Sequence, residues 1–402
     1  MNIVEINSVN RGSTGSIMRA ISDFAKRRGH NVLMCYPDQR DNRVVYNDSD
    51  YLIGNRFSRN IGVYLCSKFK FIKFAHTFAT LCLLRKLKSF KPDVIHFHNL
   101  HPLYLNLSLF FNYINKYDIK VVITLHDCWL YTGHCPYYTD LCCLKWMNKC
   151  YECPVYTEYP KSNWDDSSYM FNYKKKLLLS LKNLTLVPVS NWLGNEVKKS
   201  FLHNCRIQTI SNGIDLSIFK PTFDMSVLAK YGINDEFLIM GCATEWGYRK
   251  GLEDYLQLST MLHSDEKIIL VGISESALID KPSNIILINR TEDVNELACL
   301  YSRANVLLSL SKEETFGLTI IEAMACGTPA IVYNNTAQPE LINNNNGFVV
   351  SNGDLKSVRD RIDEIKLMDE KEISGRCVAF AKQYGKDVIY KKYMELLENS
   401  IN

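Results

Sequence analysis

Two glutamates, Glu314 and Glu322, bracket the middle of the segment Lys312–Pro329, KEETFGLTIIEAMACGTP. An apolar run ending near Leu310 precedes it, so the segment reads as strand, loop and helix, with the helix opening near Phe316. The first N–H groups of a helix have no partner inside it. Those of Phe316, Gly317, Leu318 and Thr319 would therefore form an anion site suited to phosphate. Gly317 keeps side-chain bulk away from that approach, and Gly327 and Pro329 stop the helix. Glu314 precedes the helix and Glu322 lies about two turns into it. One carboxylate can thus hold hydroxyls at one end of a sugar nucleotide and the other those at the far end. The plain alternative is a pair of solvated helix-end charges.

Other candidates lie where apolar runs end. His126 follows Val121–Thr124, and His96, His98, Asn99 and His101 follow the neighbouring run at Val94. The latter group is a candidate lining for an acceptor, although alternating histidines also suit a metal. Arg11-Gly12-Ser13-Thr14-Gly15-Ser16 joins the first strand to its helix; its glycines let backbone amides meet phosphate or acceptor. This is not the glycine pattern of a dinucleotide-binding unit, which argues against a NAD-dependent oxidoreductase. Asp48-Ser49-Asp50 matches the Asp-x-Asp of metal-dependent transferases only in a polar loop, without a buried strand before it. In the stretch after Leu125, Cys135, Cys143, Cys150 and Cys153 offer four thiolates for a structural zinc, with Cys142 competing for one place. Reduced core thiols or a redox-labile cluster are the alternatives.

The elements that must hold these residues alternate between apolar runs and helical periodicity, which predicts α/β architecture with parallel sheets. Strands are expected at Ile3–Ile6, Val32–Tyr36, Val94–Phe97, Val121–Thr124, Leu184–Val189 and Ile207–Ile210. A helix Ile17–Arg28 follows the first glycine loop. A second set of strands falls at Phe237–Cys242, Lys267–Val271, Ile285–Ile288, Val306–Leu310 and Ala330–Tyr333. The proline-bearing junction Phe219–Thr222 separates them. The expected organisation is an N-terminal domain over 1–218 with a Cys-rich loop at 128–160, a C-terminal domain over 219–380, and a helix over 381–402 returning to the first domain. Each domain reads as doubly wound, and such sheets bind ligands beyond the carboxyl ends of their strands.

Taken whole, Glu314 to Pro329 resembles the signature of glycosyltransferase family 4. The resemblance implies the GT-B fold, two Rossmann-like domains facing across a cleft, and retention of anomeric configuration. It implies that Glu314 contacts ring hydroxyls of the donor sugar and Glu322 the ribose. Asn212-Gly213-Ile214-Asp215 resembles the family's turn after the last N-domain strand. Arg249-Lys250-Gly251 resembles the basic motif whose lysine meets the donor diphosphate, and His126 the histidine near the donor's sugar. A cation and a helix N-terminus converging on a pyrophosphate would stabilise a departing nucleotide diphosphate. Family members often carry a further arginine where this chain has Ala243-Thr244-Glu245-Trp246. Thr-Leu-His-Asp-Cys-Trp, Thr-Gly-His-Cys, Cys-x-x-Cys-Pro and Ser190-Asn191-Trp192-Leu193 resemble a subgroup associated with colanic acid and other bacterial surface polysaccharides. The acceptors this implies are lipid-linked saccharides. The expected mechanism is front-face substitution with no cofactor, since Asp127 is the nearest candidate nucleophile and nothing shows it reaching the anomeric carbon. A binding protein of the same fold without turnover is the non-enzyme alternative.

Composition agrees with a globular protein of two cores: 402 residues, 47% hydrophobic, 22% charged, net charge +4. That charge is too small to point to nucleic acid. The start MNIVEINSVN lacks the pattern of a signal peptide, and no apolar run suffices for a spanning helix. A cytoplasmic protein is expected. Between Tyr51 and Pro92 there is no acidic residue, while Arg56, Arg59, Lys68, Lys70, Lys73, Arg85, Lys86, Lys88 and Lys91 are basic. With Phe69, Phe71, Phe74 and Phe78 interleaved, residues 56–91 suit an anionic membrane surface, each basic group adding about 1 kcal/mol. This would place the protein peripherally at the inner face of the plasma membrane. An ordinary amphipathic helix with solvated lysines is the alternative.

Overall fold

The computed structural model describes residues 1–38, 49–55, 76–101, 104–274 and 281–399. It comprises two compact units, Met1–Ser211 together with Tyr390–Asn402, and Asn212–Ile389. In the first, β1 (Asn2–Ile6), β2 (Asn31–Pro37), β3 (Tyr51–Ile53), β4 (Val94–Phe97), β5 (Lys120–Leu125), β6 (Leu184–Pro188) and β7 (Arg206–Ile207) form a parallel sheet. Its strand order is β3-β2-β1-β4-β5-β6-β7. In the second, β8 (Phe237–Cys242), β9 (Glu266–Val271), β10 (Ile285–Ile288), β11 (Val306–Ser309), β12 (Ala330–Tyr333) and β13 (Gly347–Val350) are ordered β10-β9-β8-β11-β12-β13.

Both sheets are doubly wound. The chain builds outward in one direction and then returns to build in the other, leaving a crevice at the carboxyl ends where the order reverses. That reversal falls between β1 and β4 in one unit and between β8 and β11 in the other. The central strands carry near-continuous apolar runs because helices cover both faces. Ile3, Val4, Ile6, Ile95, Phe97, Ile239, Ile268 and Leu307 are all without solvent exposure.

Four details depart from the sequence expectations. The outer strands β3 and β13 were not anticipated. The helix expected at Ile17 begins at Gly12, so Gly12–Ser16 are its first turns and the loop ends at Arg11. The first unit closes at Ser211 rather than 218, because Ile214 already belongs to the second: its N–H donates to Tyr384 O at 2.9 Å and its carbonyl accepts from Lys386 N at 2.8 Å. The last helix runs Lys386–Asn399, and the chain counts with the first unit from Tyr390, not from 381.

Candidate functional site

At the reversal of the second sheet, two loops meet. After β8 the chain makes a short 3-10 turn at Tyr248–Lys250, and Gly251 takes a left-handed φ of 70°. A Cβ there would stand 2.2 Å from Leu310 O, so only glycine permits this closeness. The backbone N–H of Lys312 donates to Arg249 O at 2.9 Å and locks the turn to the loop after β11. The result is an ion pair between Lys250 and Glu314, each side chain about one-fifth exposed. Arg249 reaches Glu313 O at 3.5 Å. Glu314 is also held through its backbone, donating to Thr336 Oγ1 at 2.8 Å and accepting from the same hydroxyl at 2.7 Å.

The helix Leu318–Ala325 starts beside that pair in sequence. Its N-cap, Gly317, has φ of 100°, and a Cβ would lie 2.8 Å from Ile320 Cδ1. Glycine is therefore required here by backbone conformation and crowding, besides any ligand. Neither an acidic residue in the first turn nor a capping side chain answers the N–H groups of Leu318 and Thr319, so this helix end keeps its positive character. Phe316 is buried against Tyr384, with ring centroids 5.8 Å apart. Glu322, half-buried, accepts from the Tyr301 hydroxyl at 3.3 Å. Burial pushes its carboxyl up to about 7, against the pull of that hydroxyl. In the turn after β8, Trp246 donates through Nε1 to Val271 O at 2.9 Å and packs on Tyr255. Asn212 is buried and Gly213 follows it at the start of the unit, where the turn is tied to residues 384–386. Lys386 also pairs with Asp215.

In the first unit the reversal gathers histidines. Parallel register sets Glu5 beside His96, and the period of two puts His98 on the same face as His96. Glu5 is wholly buried, its oxygens 3.1 Å from His96 Nδ1 and 3.1 Å from His98 Nε2. His98 Nδ1 lies 2.9 Å from His126 Nε2. Burial alone would raise the Glu5 carboxyl, but the two histidines outweigh it and hold the group down to about 2. Burial and the neighbouring His96 lower His98 to about 4, against Glu5. Burial, with His98, His96 and His101 nearby, takes His126 well below the ordinary histidine range.

Three members of the expected acceptor lining are therefore interior: His96 is without solvent exposure, and His98 and His101 are both 2% exposed. His101 meets Asp127 at 2.7 Å and the Tyr159 hydroxyl at 3.3 Å, so none of the three rings presents an open face to an acceptor. Asn99 is half-buried, and its N–H donates to Asn7 Oδ1 at 3.2 Å. Asn7 in turn donates to Thr14 at 3.3 Å, which draws the Gly12–Ser16 turn to the same end of the sheet. Ser13 is exposed there. Gly15 is indispensable for packing, since a Cβ would sit 2.4 Å from the carbonyl carbon of Asn10. Glu5 and Asn7 were missed by sequence reasoning. The signal for the first was available: a glutamate in the middle of an apolar strand needs a buried partner.

The long loop between β5 and the helix Ser167–Leu178 has its own aromatic core. Trp146 is buried between Tyr131 and Tyr138, at ring distances of 5.0 and 4.9 Å. Cys135, Cys143, Cys150 and Cys153 line one small space of about 20 Å³, whereas Cys142 is exposed. Cys150 Sγ accepts from Gly133 N at 3.1 Å. Among the described residues the four sulfurs do not form a closed set within 4.8 Å of one another. Of the basic segment 56–91, residues 56–75 lie outside the described residues. The remainder is the helix Thr77–Phe90, with Phe78 and Leu81 76% and 46% exposed. Asp48 is likewise outside; Asp50 accepts from the Tyr36 hydroxyl at 2.7 Å. Among the described residues no helix is long and apolar enough to cross a membrane.

Known proteins resemble this chain in sequence and in fold. WcaC of Escherichia coli strain K12, provisionally named a colanic acid biosynthesis glycosyl transferase, is 25% identical over 65% of this chain and 64% of its own length. CapM of Staphylococcus aureus, a capsular polysaccharide biosynthesis glycosyltransferase, is 28% identical over 39% of this chain and 43% of its own. The matched stretches thus span less than two-thirds of both relatives. A crystal structure of HepE from Anabaena in complex with UDP-glucose superposes with a TM-score of 0.66, covering 99% of this chain and 100% of that one at 14% identity, a likeness of fold. The model for glycosyl transferases group 1 matches residues 227–383, and that for glycosyltransferase family 4 matches residues 15–218, just over half of the sequence. The chain belongs to glycosyltransferase family 4, with two parallel α/β sheets of the GT-B fold.

Proposed function

We propose that the protein is a retaining glycosyltransferase that moves a hexosyl group from a nucleotide-diphosphate sugar to a saccharide acceptor of a bacterial surface polysaccharide. The observation that carries this is the convergence of Lys250 and Glu314 at the loop that opens the helix beginning after Gly317, with Glu322 on that helix. A diphosphate competes with Glu314 for the Lys250 ammonium. The freed carboxylate is then available to sugar hydroxyls, and Glu322 to the ribose. Arg249, Lys250 and the N–H groups of Leu318 and Thr319 stabilise the charge that grows on the departing phosphate.

Asp127 makes a poor nucleophile for double displacement, because one oxygen faces His101 and the other accepts from Trp129 N at 2.9 Å. Front-face substitution fits better. The bond from the anomeric carbon to the phosphate oxygen breaks as the bond to the acceptor oxygen forms. The acceptor's proton passes to the phosphate oxygen that leaves. His126 hydrogen-bonds the donor near the reacting centre. Cations and amides neutralise the diphosphate in this scheme, so it needs no divalent metal.

Three finer features complete the proposal. The acceptor is lipid-linked, and residues 56–91 bring the protein to an anionic membrane face. Phe78 and Leu81 would enter the interface while Arg85, Lys86, Lys88 and Lys91, on the same segment, meet phosphates. The four cysteines bind a structural zinc, for which their sulfurs must draw together. The Gly133 N–H on Cys150 is a donor suited to a metal-bound thiolate.

The test is nucleotide release by the purified protein from UDP-, GDP-, ADP- and CDP-sugars, run beside thermal shifts with the same donors. Release with one donor, insensitive to EDTA, is expected. A shift without release would identify a sugar-nucleotide-binding protein, and a severe loss of turnover in Asp48→Ala would restore metal-dependent chemistry.

A further inference from the structure

We infer that Glu5 and His98 are positioning residues for His126: they fix its proton on Nε2 and make its Nδ1 an acceptor, so that a substrate hydroxyl meeting Nδ1 must donate to it. The inference rests on the reading of His126 as a group that contacts the donor.

With Glu5 ionised and all three rings neutral, proton bookkeeping along the cluster leaves one self-consistent arrangement. An ionised carboxylate only accepts, so both ring nitrogens facing Glu5, His96 Nδ1 and His98 Nε2, carry hydrogen. Each neutral ring then has a lone pair on its other nitrogen. His96 Nε2 accepts from the Thr124 hydroxyl at 2.8 Å, whose oxygen accepts from Tyr393 at 3.2 Å. His98 Nδ1 must likewise accept, and its partner at 2.9 Å is His126 Nε2, which therefore donates. Every contact in the chain from Tyr393 to His126 is satisfied once, and all the donors point toward the one carboxylate.

Burial makes the arrangement hard to invert. Glu5 and His96 are without solvent exposure and His98 is 2% exposed, so water cannot supply a substitute donor at either end. The rings of His98 and His126 lie nearly parallel, 14° apart with centroids at 5.3 Å, which fixes the plane of His126 as well as its tautomer. A histidine free to exchange tautomers would spend part of its time presenting N–H to a sugar hydroxyl and part presenting a lone pair. The buried carboxylate, two strands away across the sheet, removes that ambiguity. The lowered proton affinities of His98 and His126 act in the same sense by keeping both rings neutral.

The experiment is nitrogen-15 NMR of the full-length protein labelled at histidine, with the His126 signals assigned by their loss in His126→Ala. Hydrogen on Nε2 and none on Nδ1 is the expected result, and hydrogen on Nδ1 in the wild type would overturn the inference. Kinetics give the second reading. His98→Leu should lower kcat by at least about tenfold with donor KM changed less than about threefold. His98→Asn, whose Oδ1 stands near the place of Nδ1, should recover most of that loss. Wild-type kcat in His98→Leu, or equal defects in both variants, would also overturn it. Full turnover in His126→Ala would instead sink the catalytic reading of His126, whatever the NMR shows.

Discussion

The histidine cluster of the first unit and the Lys250–Glu314 pair of the second occupy the same place in the same kind of sheet, yet they handle charge in opposite ways. In the first unit a carboxylate is sunk beneath all solvent contact and surrounded by donors whose protons are already assigned. In the second, cation and carboxylate sit one-fifth exposed and bind mainly each other. A buried charge that cannot leave is suited to orienting neighbours. An accessible pair is suited to exchanging partners, because little desolvation is lost when a phosphate replaces the carboxylate. The first arrangement is built to hold geometry, the second to respond to charge.

Acid should break the comparison most strongly. His98 and His126 have folded proton affinities below that of an ordinary histidine, so the unfolded chain takes up protons that the folded chain refuses. For His98 that stabilisation is complete above about pH 6.5 and is lost as pH falls toward about 4, at on the order of 1 kcal/mol per pH unit, and His126 acts in the same direction. Glu5, depressed to about 2, adds its own loss only below about 4.5. Hydrogen exchange at pH 7 and 5 should show β4 and β5 losing protection before β8 and β11 do, and equal losses would refute the neutral-histidine assignment.

Next in size are Lys250→Ala and Glu314→Gln. Each is expected to lower kcat/KM by at least about tenfold, or ~1.4 kcal/mol of barrier. Melting should barely change, since a part-exposed pair contributes about 1 kcal/mol or less. Steady-state kinetics and melting curves together decide this, and near-wild-type turnover in both would remove the donor-site assignment.

The smallest effect sharpens the contrast by reversing its sign. Glu322 is raised to about 7, so the folded chain holds this proton more tightly than the unfolded one. Its favourable contribution is present below about pH 4.5 and is lost as pH rises through 7. Glu322→Gln should therefore be more stable than the wild type at pH 8, by about 1 kcal/mol, and not at pH 4. Denaturant titrations at the two pH values measure it, and an unchanged or lower stability at pH 8 would contradict the assignment.

The sequence made the central strands legible because their runs of Val, Ile and Leu admit few other readings. β3 and β13 escaped because YLI and GFVV are short and sit beside polar loops, at sheet edges that need less apolar surface. The turn at Gly12–Ser16 looked like a loop because two glycines in five residues weaken a helix. In the structure one satisfies a φ of 69° and the other a close backbone approach, neither of which leaves a periodic mark. Glu314, Glu322 and Lys250 were readable because they belong to one contiguous pattern or lie near a strand end. Glu5 was not, since its partners are 91 and 93 residues away and only strand register brings them together.

The helix Lys386–Asn399 sets a schedule for synthesis. Tyr393, on that helix, closes the Thr124 end of the histidine chain, and Glu398 meets His30 at 3.0 Å. The seven strands of the first sheet leave the ribosome long before these residues exist, with the whole of 212–389 made in between. At about 5–20 residues per second that interval is on the order of ten to thirty-five seconds. The second unit is one unbroken stretch of chain and can close as it emerges. The first must wait for that helix before the Thr124 end of its histidine chain is closed.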